Sequence, residues 1–293
     1  MRPAKTVAAL HDLSSVGRCA LTVVIPVISA MGVQVIPGPT AALSAHTAFP
    51  NFVSLDLTDY LEKCLGKWQE MGLQFDAIYS GYLASVRQEE IVRRFTDGQP
   101  DALRVVDPVL GDDGVMYRAL PPDMPKYMAR LCREADVITP NLTEARLLTG
   151  AEPHRADAGD LPGTRTQEEV LSLAELTRLL EQLLALKPRT ALITGVNLEG
   201  THVNAWMGQD GAVRTCAYWP VPASYPGTGD LFAAVLTGAL TRGQPFADSV
   251  ALATEYVRET MLATLKCSTE SVYGVQLEQT LGMLINPEEG ALS

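Results

Sequence analysis

Short apolar runs alternate with longer stretches whose apolar residues recur at helical spacing, and the alternation continues along nearly the whole chain. The short runs, rich in Val, Ile, Leu and Ala, predict strands over residues 6–10, 33–36, 75–79, 103–106, 137–139 and 190–194. The longer stretches predict helices over 19–31, 58–71, 87–96, 122–134, 142–148, 168–186, 231–241, 246–265 and 273–284. Gly32, Gly72 and Gly150 stand where the first, second and fifth of these helices stop, as C-terminal caps do. Residues 203–207 and 213–218 flank Gln209-Asp210-Gly211 and read as a hairpin. Residues 11–17 read as a turn-rich loop, and 151–167, rich in Gly, Pro, Ala and acids, as a mobile surface excursion. Strands alternating with helices imply an α/β fold: a three-layer α/β/α sandwich around a mostly parallel sheet, one domain over 1–293. Ligands of such sheets bind beyond the carboxyl ends of the strands. Polar residues of this chain collect there: His11-Asp12, Asp107, Thr139-Pro140-Asn141 and Thr194-Gly195.

A hydrophobic content of 47% supports a large core, and a net charge of −11 argues against nucleic-acid or anionic-membrane partners. A phosphorylated ligand would therefore be held by local backbone N–H groups and metal, not by a basic field. Five scattered cysteines without a CxxC fit reduced thiols in a cytoplasmic protein. Four histidines and no Cys/His cluster leave little for zinc. The apolar run after Arg2 and Lys5 breaks at His11-Asp12 and reads as a strand, not a signal peptide, and no stretch is long enough to span a bilayer.

The most informative run is Gly227-Thr228-Gly229-Asp230-Leu231-Phe232-Ala233-Ala234. Glycines permit a tight turn and close ligand approach, and free N–H groups at a helix start form an anion site. Asp230 then sits beside the anion, placed as a base toward an attacking hydroxyl. The same residues also describe an ordinary helix start with a favourable acid. Asp107-Pro108-Val109-Leu110-Gly111-Asp112-Asp113-Gly114 puts an acid at a strand end and two more in a glycine-bounded loop. Asn141 and Glu144, three apart at a helix start, add hard oxygen ligands suited to Mg²⁺, or simply an N-cap.

These blocks, with Ser44-Ala45-His46-Thr47, Ser80-Gly81-Tyr82-Leu83 and Met116-Tyr117, resemble the ribokinase-like superfamily and within it the pyridoxal kinases, over roughly residues 7–264. The resemblance implies ATP-dependent phosphorylation of the 5′-hydroxymethyl of a B6 vitamer, in a cytoplasmic homodimer without a separate lid sheet. It implies Asp230 as base and Gly227, Thr228 and Gly229 as the anion hole. Asp112 and Glu144 then fall near Mg²⁺, and Asp107 and Thr139 at a monovalent-cation site for K⁺ or Na⁺. Asn141, Thr194 and the stretch Val221, Pro222, Ala223 match nucleotide contacts, with Glu144 and Thr228 beside them. Thr47, Tyr82 and Tyr117 match positions enclosing the pyridine ring; His46 either joins them or packs its own loop. Asp12 stands where relatives carry a neutral hydroxyl, and either pairs with a substrate cation or caps its own turn. Ala48 replaces a usual glycine. A hydroxymethylpyrimidine kinase is the alternative enzyme, though that family tends to carry Cys at the position of Asp230. A non-catalytic B6-binding protein is the other alternative, opposed by the joint presence of Asp230, Asn141 and Glu144.

Overall fold

The run after Lys5 becomes the central strand β1 (Thr6–Ser14), whose Val7, Ala8, Ala9 and Leu10 have no exposed surface, as a strand covered on both faces requires. The computed structural model describes residues 4–150 and 169–285. The excursion expected at 151–167 lies outside the described residues. After β1 come α1 (Leu21–Ala30), β2 (Gln34–Leu43), β3 (Ser54–Asp56), α2 (Thr58–Glu70), β4 (Ala77–Ser80), α3 (Val86–Asp97) and β5 (Leu103–Val106). Then follow β6 (Gly111–Asp112), β7 (Val115–Met116), α4 (Met124–Cys132), β8 (Val137–Ile138), α5 (Leu142–Leu148), β9 (Val170–Leu171) and α6 (Leu173–Leu184). The described chain ends with β10 (Thr190–Leu198), β11 (Thr201–Gly208), β12 (Val213–Ala217), α7 (Thr228–Arg242), α8 (Phe246–Leu265) and three short 3₁₀ turns.

The main sheet runs β12-β11-β10-β8-β5-β4-β1-β2-β3, with β9 beside β10. Its pairings are parallel from β2 across to β10. They turn antiparallel only at the margins, where β3 joins β2 and where β11 and β12 follow β10. Alternate strand residues feed two cores. Ala8, Leu10, Ile78, Val106 and Ile138 pack with Leu61, Phe95, Met128 and Leu180 from α2, α3, α4 and α6. Val7, Ala9, Tyr79, Val105 and Val137 pack with Ile28, Phe232, Leu236 and Tyr256 from α1, α7 and α8. These are the three expected layers. Among the described residues no helix is long and apolar enough to cross a membrane.

Several local expectations are corrected. The loop predicted from His11 starts later, because β1 continues to Ser14 alongside β2. The helix predicted from 168 begins at Leu173, behind β9, where Ser172 and Glu175 form a reciprocal capping box. The helix predicted over 273–284 is broken into 3₁₀ turns, with Gly274 at φ 74° in the first break. The hairpin β6–β7 forms a small sheet of its own within the acidic loop.

Candidate active site

The floor of the site is the start of α7. Gly227 is its N-cap at φ 83°, ψ 3°, a left-handed conformation, and a Cβ there would lie 2.0 Å from the Arg18 carbonyl oxygen. Gly229 differs. It lies in the first helical turn, and a Cβ there would meet no atom within 4 Å. The first intrahelical bond runs from Leu231 N to Gly227 O, at 2.9 Å. Thr228, Gly229 and Asp230 therefore present N–H groups without intrahelical acceptors beside an empty cradle. The Asp230 side chain, 11% exposed, accepts from Ala20 N at 2.8 Å through Oδ2 and faces His11 Nε2 at 3.1 Å through Oδ1. Burial alone would raise its pKa; the hydrogen bond and charge of His11 outweigh that and hold it below the ordinary value.

His11 and Asp12 are consecutive in β1 and would normally point to opposite faces. The β1–β2 register shifts between His11 and Leu13, and with this irregularity both residues reach the cleft wall. His11 Nδ1 lies 2.9 Å from Asp12 Oδ1, and Ser14 Oγ donates to Asp12 Oδ2 at 2.8 Å. Both Asp12 oxygens are thus engaged within the protein. Burial would make the His11 ring less basic, but hydrogen bonds to Asp12 and Asp230 push its pKa up to about 10. Sequence reasoning placed His11 only at a strand end and gave it no role. The signal available was the His-Asp pair itself, at the carboxyl end of a buried strand.

Opposite, the ends of β5 and β8 bring the acids together. Burial, then the charge of Asp230, raises Asp107 to about 7, while Tyr79 OH donates to its Oδ2 at 3.2 Å. Thr139 Oγ1 is buried close to this carboxylate but makes no hydrogen bond of normal geometry. Asp112 opens to the cleft; the surrounding protein and then the charge of Asp113 raise its pKa. Asn141 caps α5: its side chain accepts from Glu144 N at 2.9 Å, and its own N–H donates to Glu144 Oε2 at 2.9 Å. Leu110 N donates to Glu144 Oε1 at 3.0 Å, and Asn141 Nδ2 to Gly111 O at 2.8 Å. This pair therefore fastens the acidic loop to α5. Burial, then Asp107, holds Glu144 well above the usual carboxylate range. Among the described residues no three His, Cys, Asp or Glu side chains are grouped closely enough to hold a metal alone.

These elements enclose a cleft of about 740 Å³. Asp12, His46, Thr47, Tyr82, Asp107, Asp112, Tyr117, Thr139, Asn141, Glu144, Thr194 and the 227–230 turn all line it. Val221, Pro222 and Ala223 do not; they form a tight turn in which Ala223 N donates to Val221 O at 2.7 Å. His46 uses both ring nitrogens locally, donating from Nε2 to Val272 O at 2.6 Å and accepting at Nδ1 from Ala48 N at 3.2 Å. Burial lifts Tyr82 to about 12 and keeps its hydroxyl protonated.

Residues 58–274 match the phosphomethylpyrimidine kinase family. Pyridoxal kinase of Ovis aries is 33% identical over 187 residues, covering 56% of this chain and 53% of that protein. In that alignment the chain thus spans about half the length of its mammalian relative. Among solved structures, one of a Bacteroides thetaiotaomicron protein assigned to the phosphomethylpyrimidine kinases, with pyridoxal, is 41% identical at TM-score 0.83, covering 96% of each chain. Pyridoxal kinase of Lactobacillus plantarum is 32% identical at TM-score 0.85, covering 99% of each. With the family match running over most of the chain and two solved structures aligning with it nearly end to end, the chain belongs to the phosphomethylpyrimidine kinase family of the ribokinase-like proteins.

Proposed function

We propose that the protein transfers the terminal phosphoryl group of ATP to the 5′-hydroxymethyl of a B6 vitamer. The observation that carries this is an ionised Asp230 beside the open first turn of α7, where Gly229 leaves room for an anion. The hydroxymethyl oxygen bonds the transferring phosphorus as the bond to the ADP oxygen breaks, and the proton goes to Asp230. The N–H groups of Thr228, Gly229 and Asp230 stabilise the charge that develops on the transferring group. Thr47, Tyr82 and Tyr117 wall the space for the ring.

A divalent cation fits the opposite wall. Asp107 and Glu144 are buried, raised in pKa and lack a basic partner in the hydrogen bonds they make, so a cation relieves their repulsion. Asp112, open to the cleft, is the residue that would hold Mg²⁺, with Glu144 behind it. Bound there, it neutralises phosphate charge. The buried Thr139 hydroxyl beside Asp107 would suit a monovalent ion. The relative crystallised with pyridoxal and the relatives that are pyridoxal kinases support the vitamer over a pyrimidine.

The test is ADP release with pyridoxal, pyridoxine, pyridoxamine and hydroxymethylpyrimidine side by side. Release with the vitamers, lost by about 10²- to 10⁴-fold in Asp230→Asn and abolished by chelator, is expected. Release with the pyrimidine alone assigns the protein to pyrimidine phosphorylation, and no release with any alcohol makes it a binding protein.

A further inference from the structure

We propose that His11 is a positioning residue that aims the Asp230 carboxylate at the substrate hydroxyl, through a buried chain from Ser14 to Asp12 to His11 to Asp230. The inference rests on the kinase reading above. The chain is continuous: Ser14 Oγ to Asp12 Oδ2 is 2.8 Å, Asp12 Oδ1 to His11 Nδ1 is 2.9 Å, and His11 Nε2 to Asp230 Oδ1 is 3.1 Å. Ala20 N holds the other Asp230 oxygen at 2.8 Å. An aspartate left to itself rotates broadly about its last torsion. Here each oxygen has one donor from the protein, which fixes the plane and leaves lone pairs for a hydroxyl.

The fold makes room for the imidazole. A Cβ at Gly81 would lie 2.0 Å from His11 Cδ2, so the residue just after β4 yields the space where the ring sits. The Tyr79 ring flanks it with centroids 5.9 Å apart. Only 2% of the His11 surface is exposed. The groups facing this centre are Asp12 on β1, Asp230 on α7, Tyr79 on β4, Asp107 after β5, Cys19 before α1 and His46 before β3. Two carboxylates bracket the ring and favour a proton on each nitrogen, from which it donates outward. The Asp12 N–H, also 2.9 Å from Nδ1, competes only for a ring neutral at that nitrogen. In a loose phosphoryl transfer the orientation of the acceptor matters more than its strength, and a displacement of about 1 Å costs on the order of a hundredfold.

The experiment compares wild type, His11→Phe and His11→Gln in the full chain. We expect kcat to fall by about 10- to 100-fold in His11→Phe, with KM for vitamer and ATP little changed. The acid limb of kcat should move up by about one to three pH units, because Asp230 loses its cation. His11→Gln, which keeps a donor without the charge, should fall between. A His11→Phe enzyme with wild-type kcat and an unmoved acid limb overturns the proposal. Should the variants not fold, ¹⁵N-histidine NMR of the wild type decides. With four histidines in the chain, assignment is tractable. A His11 ring doubly protonated at pH 8, and losing that proton earlier in Asp230→Asn, supports the chain, and a neutral ring at pH 7 overturns it. A wild type inactive on every alcohol refutes the kinase reading and this role together, whereas an active wild type matched by its His11 variants refutes this role alone.

Discussion

Two glycines two residues apart should respond to alanine in opposite ways. Gly229 has helical backbone in the first turn of α7, and its missing Cβ points into space where no atom lies within 4 Å. Alanine there gains helix propensity of about 0.5–1 kcal/mol and meets no protein atom. The folded state should gain that much, or roughly 1–2 °C in Tm for a chain of this size. Yet the methyl group fills the cradle beside Asp230, so turnover should drop by about a hundredfold or more, as when an anion-hole donor is lost. Gly227→Ala should do the reverse on stability. Its φ of 83° costs an alanine about 1–2 kcal/mol, and the Cβ 2.0 Å from Arg18 O forces the backbone to shift. A loss of about 2–4 kcal/mol in total is expected, read in denaturant unfolding alongside the ADP-release assay. A Gly229→Ala protein that is both stable and fully active would refute the idea that this space is kept for a ligand.

Asp12→Ser should lower the specificity constants for pyridoxal and pyridoxamine together, since both Asp12 oxygens are engaged by His11 and Ser14. A ratio moved by about tenfold or more would show that Asp12 touches the amine instead. Asn141→Ala removes the α5 cap and the bond to Gly111 O, and should cost about 1–2 kcal/mol in unfolding while raising KM for MgATP more than for the vitamer. His11 has a folded pKa of about 10, above its unfolded value of 6.5, so its stabilisation is complete below about pH 6.5 and lost as pH rises through 10. Wild type should therefore lose a few kcal/mol between pH 7 and 10 that His11→Phe does not lose, and equal slopes in the two proteins would contradict a charged ring.

The helices and central strands were legible because each buries a periodic face: Leu176, Leu179, Leu180 and Leu183 of α6, or Val105 and Val106 of β5. Strands β3, β6, β7 and β9 are two or three residues long and exist through their partners, so no periodicity announces them. Ser54-Leu55-Asp56 is exposed throughout and is a strand only because β2 lies alongside. The site acids were legible from glycine and proline punctuation at the strand ends. His11 was not, because its meaning depends on Asp230, 219 residues away. The sequence offered local capping as one reading of both Asp12 and Glu144, and it took the structure to show their oxygens engaged by Ser14, His11, Asn141 and Leu110.

The sockets cut for the two imidazoles also constrain how such a protein diverges. A Cβ at Gly81 would lie 2.0 Å from the His11 ring, and one at Gly17 2.1 Å from the His46 ring. Gly17 is held twice over, since its φ of 88° would strain any other residue even without the imidazole. Gly81 is held by its histidine alone. Replacement there must begin at His11: once that residue has shrunk, position 81 becomes free to gain a side chain, and that side chain then bars the histidine's return. Divergence at this pair runs through a ratchet, and a lineage that has taken both steps can recover the imidazole only by first restoring the glycine.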